Sequence, residues 1–133
     1  MADQRVELLS NVSLFANSSK RQVRNVLPWT KEYKYKSGAA MVKEGAVGRD
    51  LFLILEGNAK VVRGSRTITR LGPGDYFGEI ALIDERPRTA SVIADGPVDC
   101  LVIRQSEFKA LLAGDPEIAW NMLRAFAARF RAD

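Results

Sequence analysis

The residues whose types and spacing could do chemistry lie between positions 77 and 91, Phe77-Gly78-Glu79-Ile80-Ala81-Leu82 followed by Ile83-Asp84-Glu85-Arg86-Pro87-Arg88-Thr89-Ala90-Ser91. Gly78 lets backbone approach a ligand where a Cβ would collide. Residues 79–82 read as one turn of helix, and the N–H groups of Ile80 and Ala81 at its start have no intrahelical acceptor. An anion there gains hydrogen bonds and a favourable dipole. Arg88 adds a planar cationic fork matched to two phosphate oxygens, and Thr89 a hydroxyl beside it. A phosphate fits that set.

Glu79 does not, since a carboxylate repels a phosphate. Its presence makes sense if it accepts from a sugar hydroxyl and steadies Arg88. A ligand with one phosphate and a free ribose hydroxyl meets both demands. A bare surface ion pair between Glu79 and Arg88 would use the same two residues without any ligand.

The rest of the composition narrows the chemistry. The 133 residues contain no histidine, which removes Ser-His and Cys-His nucleophilic catalysis and the commonest metal ligand. No metal site and no enzyme is expected. The single cysteine, Cys100, sits in the apolar run Val98-Asp99-Cys100-Leu101-Val102-Ile103 and reads as a small core residue. No disulfide can form within the chain, which suits the cytoplasm. The N-terminus lacks an apolar signal core, and the longest unbroken aliphatic-aromatic run is Leu51 to Leu55, too short for a membrane span. Without a signal peptide, the glycosylation patterns at Asn11 and Asn17 carry no weight. A net charge of +4 with 27% charged residues reads as a solvated, mildly basic surface.

The elements that must position residues 77–91 follow from pattern. Residues 4–27 read as short helices with apolar clusters at Val6, Leu8 and Leu9 and at Val12, Leu14 and Phe15. Ser19 with Gln22 is a capping box opening a helix that Pro28 should stop. From Trp29 the texture becomes short strands punctuated by glycine: 32–36, 39–43, 50–56, 58–63, 66–71, 89–94 and 98–103. Gly57, Gly64-Ser65, Gly72-Pro73-Gly74 and Gly96-Pro97 are read as the turns between them. Asp50 to Glu56 is apolar on both faces and is expected to be buried on both. Ser106 should cap a helix through Leu112. Asp115-Pro116 should start another, with Ala119, Met122, Leu123, Phe126 and Phe130 on its apolar face. Many short strands without a helix after each predict a mainly β fold, an antiparallel barrel, roll or sandwich with flanking helices.

The run Phe77-Gly78-Glu79-Ile80-Ala81-Leu82, then Pro87-Arg88-Thr89-Ala90-Ser91-Val92, resembles the phosphate-binding cassette of cyclic nucleotide-binding domains. That family includes kinase regulatory subunits, cyclic-nucleotide-gated channels and catabolite-activator-like regulators. The resemblance extends over the whole chain and implies an antiparallel double-stranded, jelly-roll-like β-roll between N-terminal helices and two C-terminal helices. It implies a single domain over 1–133: a helical lead-in at 1–28, the roll at 29–104 with the cassette at 77–91, and closing helices at 105–133. Arg88 would then pair with the cyclic phosphate and Glu79 with the ribose 2′-hydroxyl. Gly78, Ile80, Ala81, Thr89 and Ala90 would complete the cradle, and Val61 and Leu71 would pack against base and sugar.

The implied function is that of a non-catalytic cyclic nucleotide sensor for cAMP, with cGMP as the alternative, because Thr89 does not decide the base. Signalling would run through the C-terminal helix to a protein partner or a second copy. A degenerate roll that binds a protein and no nucleotide is the competing reading. The sequence stops at Asp133 without room for a helix-turn-helix, so either a free-standing sensor or a fragment of a longer regulator is expected. DNA is not an expected partner, and Arg124, Arg129 and Arg131 read as a solvated helix face.

Overall fold

A computed structural model describes residues 4–84 and 86–132. The ends of the expected domain and Glu85 within the cassette therefore lie outside the described residues. The chain opens with α1 (Gln4–Ser10), a 3-10 turn (Ser13–Phe15), α2 (Lys20–Val26) and a second 3-10 turn (Leu27–Trp29). The capping box forms as read: Ser19 Oγ accepts from Gln22 N–H at 3.2 Å, and Gln22 Oε1 accepts from Ser19 N–H at 2.8 Å. α2 stops just ahead of Pro28, with Leu27 as its capping residue. The helix ends at Val26, and Pro28 sits inside the 3-10 turn, where its missing N–H is tolerated.

Six strands follow among the described residues: β1 (Lys31–Tyr35), β2 (Ala40–Val42), β3 (Asp50–Arg63), β4 (Arg66–Leu71), β5 (Tyr76–Phe77) and β6 (Ser91–Arg104). All pair antiparallel. The order is β1-β6-β3-β4, with β2 also on β6 and β5 also on β3. α3 (Glu79–Ile83) lies between β5 and β6, and α4 (Gln105–Gly114) and α5 (Pro116–Ala132) close the chain.

Two expected turns are not turns. Gly57 and Gly96 each sit inside a 14-residue strand, so β3 and β6 run unbroken where two shorter strands were expected in each. Both glycines have positive φ, and the β3–β6 register shifts between Ile54 and Asn58. This is the behaviour of a bulge, which bends a strand without ending its ladder. Gly57 is required there because a Cβ would press on the Pro97 carbonyl of β6. Gly64-Ser65, by contrast, is the hairpin turn that was read, with Arg63 paired to Arg66.

The long strands separate two apolar clusters. On one face Leu51, Leu53, Leu55, Leu101 and Ile103 pack with the helices, including Leu9, Phe15, Val23, Ile118, Met122 and Phe126. On the other, inside the roll, Phe52, Ile54, Phe77, Val92, Ala94, Cys100 and Val102 come together. Leu51 to Leu55 is buried throughout, as the two-sided apolar run requires. Cys100 is a core residue, and burial pushes its thiol up to about 12.

The closing helices differ from expectation in two places. α4 begins at Gln105 with Arg104 as its capping position, and the Ser106 hydroxyl bonds to Glu107 instead of capping. In α5, Ile118, Ala119, Met122 and Phe126 are buried, at roughly 1.5–3 kcal/mol for each large side chain. Leu123 and Phe130 point away from that core, as does Trp120, which is 63% exposed. Asp115 caps the helix as read, accepting from Ile118 N–H at 3.3 Å.

Candidate functional site

The site is built on β5 and α3. Tyr76 and Phe77 pair with Leu53 and Phe52, and the Phe77 and Phe52 rings stack with centroids 4.6 Å apart. This fixes where the chain leaves the sheet. Gly78 then turns it with φ 94°, a left-handed conformation, and a Cβ there would press on the carbonyl of Asp50. The first hydrogen bond of α3 runs from Leu82 N–H to Gly78 O at 3.0 Å. The N–H groups of Glu79, Ile80 and Ala81 lie ahead of it, as the glycine-opened turn predicts.

Arg88 arrives from the other side. Residues 43–49 run alongside it: Gly45 N–H donates to Arg88 O and Arg88 N–H to Ala46 O, both at 2.8 Å, and Val47 bridges Pro87. The guanidinium is held between two glycines. A Cβ on Gly48 would lie 2.6 Å from its Nη2, and one on Gly78 would lie 3.1 Å from its Nη1. Nη2 donates to Asp50 O at 3.2 Å, while Nε is buried without a hydrogen-bond partner. Burial lowers the Arg88 pKa from its ordinary value, and the carboxylates of Asp50 and Glu79 oppose that shift. The group remains a cation at neutral pH. Beside it opens a cavity of about 310 Å³ lined by Met41, Val47, Gly48, Asp50, Phe52 and Arg88, among others.

Glu79 is only 8% exposed, yet its ion pair is not with Arg88. Glu79 Oε2 lies 3.6 Å from Arg129 Nη1 on α5, and the same nitrogen donates to Tyr76 O at 2.6 Å. The Arg129 guanidinium also sits 4.4 Å from the centroid of the Tyr76 ring. Arg129 is thus not part of a solvated face. Glu79 favours the Arg88 cation through its charge but makes no direct ion pair with it: Asp50 O and the glycine walls hold Arg88, and Arg129 holds Glu79.

The remaining residues are distributed around this centre. Thr89 is exposed and Ala90 half-buried, in the bend before β6, and Thr89 O accepts from Arg63 Nε at 3.1 Å. The Ile80 side chain faces outward, so only its backbone can serve the site. Val61 and Leu71 lie on the β3–β4 hairpin, half-buried against the roll's interior cluster. They form a wall of the roll and do not line the cavity beside Arg88. Two residues escaped sequence reasoning, Gly48 and Arg129. Gly48 sat among other loop glycines and Arg129 among other helix arginines, with nothing local to set either apart.

Among the described residues no cluster of three or more His, Cys, Asp or Glu is placed to hold a metal ion, and no helix is long and apolar enough to cross a membrane. A family model described as the cyclic nucleotide-binding domain matches residues 32–115. Similar solved structures include a cyclic nucleotide-binding domain from Methylobacillus flagellatus KT. It is 30% identical with a TM-score of 0.82 over 96% of this chain and 76% of that one. The N-terminal domain of a transcriptional regulator from Streptomyces coelicolor A3(2) is also 30% identical, with a TM-score of 0.84 over 94% and 91%. The regulatory domain of Toxoplasma gondii PKA with cAMP is 26% identical, with a TM-score of 0.77 over 95% of this chain and 49% of that one. The chain belongs to the cyclic nucleotide-binding domain family.

Proposed function

We propose that this chain is a non-catalytic cytoplasmic sensor, one domain over its whole length, that binds cAMP, with cGMP as the alternative ligand, and signals through α5. The observation that carries the reading is Arg88. It is a half-buried cation whose Nε lacks any partner, beside an open cavity. A buried donor left unpaired costs about 1–3 kcal/mol, and an arriving phosphate oxygen removes that cost. The cyclic phosphate sits between Arg88 and the N–H groups of Ile80 and Ala81, with Gly78, Thr89 and Ala90 closing the cradle. Glu79 accepts from the ribose 2′-hydroxyl, and Val61 and Leu71 face the sugar and base. The similar Toxoplasma gondii PKA regulatory domain, solved with cAMP, supports cAMP as the first ligand to test.

A specific observation also favours a protein partner on α5. Trp120, Leu123 and Phe130 leave an exposed apolar stripe at spacings of three and seven residues, suited to a partner protein or a second copy.

Thermal denaturation with millimolar cAMP or cGMP tests the reading, because a ligand that binds only the folded state must raise Tm. A rise is expected, and it should vanish in Arg88→Ala, which strands the phosphate charge at a cost of roughly 3–5 kcal/mol. If neither nucleotide moves Tm in the unaltered protein, the roll serves as an interaction module without nucleotide.

A further inference from the structure

Arg63 takes over where a strand ladder ends. β3 and β6 pair as far as Val62 and Ser91, and just ahead of Ser91 the chain bends at Thr89 and Ala90 instead of following β3. It leaves β3 because the Arg88 backbone is bonded to Gly45 and Ala46 in the neighbouring loop. The Arg63 side chain spans the resulting gap, and its Nε donates to Thr89 O at 3.1 Å. The hairpin that carries Arg63 is tied to the same place a second time. Gly64 N–H donates to Glu44 Oε1 at 2.9 Å, and Glu44 N–H donates to Ser91 Oγ at 2.8 Å.

These bonds set the direction of two peptide groups in the cassette. A trans peptide unit is planar with its C=O and N–H antiparallel, and the described residues contain no cis bond. Arg88 O accepts from Gly45 N–H at 2.8 Å, so the Thr89 N–H of that peptide points away from the loop. Thr89 O is held by Arg63, so the Ala90 N–H points away from the Arg63 guanidinium. Among the described residues neither of these two N–H groups meets a protein acceptor. Successive free backbone donors next to an arginine suit an anion.

We propose that Arg63 is a positioning residue for the nucleotide phosphate: its hold on Thr89 O presents the Ala90 N–H to one exocyclic oxygen of the ligand. This rests on the reading of Arg88, Thr89 and Ala90 as part of a phosphate cradle. Arg63 differs from a surface cation that merely attracts the ligand, because its bond is to a carbonyl inside the cassette. Arg66, its cross-strand neighbour on the hairpin, makes no hydrogen bond or ion pair among the described residues. Like charges directly opposite destabilise a hairpin, and turning the Arg63 guanidinium onto Thr89 O relieves that contact. Without Arg63 the exposed bend at Thr89 has no bond to hold its carbonyl, and the Ala90 N–H loses its fixed direction.

The test sets one side chain against one ligand atom. cAMP and its two phosphorothioate diastereomers, in which sulfur replaces one or the other exocyclic oxygen, are titrated into the unaltered protein, Arg63→Ala, Arg63→Lys and Arg66→Ala. Melting curves verify folding. Arg63→Ala should weaken cAMP binding about three- to tenfold, as expected for an exposed, charge-assisted hydrogen bond acting through the backbone. It should also change the affinity ratio of the two diastereomers by about threefold or more, because the Ala90 N–H serves only one of the two oxygens. Arg63→Lys should recover part of the loss, and it carries the test if the alanine variant does not fold. Arg66→Ala removes the same charge from the same hairpin and should change cAMP binding less than about twofold. Unchanged cAMP affinity in Arg63→Ala, or an unchanged diastereomer ratio, overturns the positioning role. Equal weakening in Arg66→Ala overturns it too, since charge alone would then account for the effect. If the unaltered protein binds no nucleotide, the assignment of the cradle is wrong and the role of Arg63 falls with it.

Discussion

Gly48→Ala isolates the placement of the Arg88 guanidinium from everything else in the fold. Gly48 does not have the positive φ found at Gly45 or Gly78, so its backbone accepts an alanine. The new methyl would stand 2.6 Å from Arg88 Nη2, 2.8 Å from Nε and 3.1 Å from Cζ. Relaxed contacts need about 3.5 Å, so the guanidinium must move by roughly 1 Å. The atoms displaced are the far end of a flexible side chain, and the fold gives way cheaply. Replacing glycine also stabilises by about 0.4–1 kcal/mol through the unfolded state, which offsets the lost Arg88–Asp50 contact.

In the proposed binding mode the ligand could not adjust in the same way, because the N–H groups of α3 would fix the other side of the phosphate. Loss of a charge-assisted hydrogen bond is worth about 1.5–3 kcal/mol, or roughly 10- to 150-fold in affinity. Calorimetric titration with cAMP and a melting curve on the same sample read both quantities. The expected result is weakened binding with Tm unchanged or slightly raised. Affinity within twofold of the unaltered protein would refute the claim that these glycine walls set the Arg88 position. A large fall in Tm would refute the claim that Arg88 is the part that yields.

Gly78→Ala should behave in the opposite way. Its φ of 94° is left-handed and its Cβ would strike the Asp50 backbone, so folding stability should fall by at least about 1–2 kcal/mol in urea titrations before binding is measured. Asp99 offers a pH test away from the site. Burial first, then the hydrogen bond and charge of Glu32, push its carboxyl up to about 6, with Glu56 adding and Lys34 opposing. The folded form thus holds the proton more tightly than the unfolded chain. The stability this contributes is complete below about pH 4 and is lost as pH rises through 6. Asp99→Asn should flatten that part of the Tm–pH profile and raise Tm at pH 7, and an unchanged slope would contradict the assignment.

What could be read from sequence was what is local. The cassette announced itself because a glycine, a helical turn and an arginine are close along the chain. The Ser19–Gln22 box and the Asp115-Pro116 start are likewise contained within four residues. Gly57 and Gly96 misled because a glycine signals a break, whereas strand pairing across the sheet carried both strands through as bulges. β5 is two residues long and exists only because β3 lies beside it. Gly48 needs Arg88, and Arg129 needs Glu79 and Tyr76, from distant parts of the chain. Such dependence leaves no periodicity to detect. Glu79 was read beside Arg88, nine residues on, whereas its ion-pair partner is Arg129 from the far end of the chain.

The most direct test of the central claim is calorimetric titration of cAMP and of cGMP into the unaltered protein and into Arg88→Ala. The predicted result is saturable binding of one nucleotide per chain, tighter for cAMP, weakened by roughly 150- to 5,000-fold in the variant. No binding of either nucleotide to the unaltered protein, or near-equal affinity in Arg88→Ala, would contradict it.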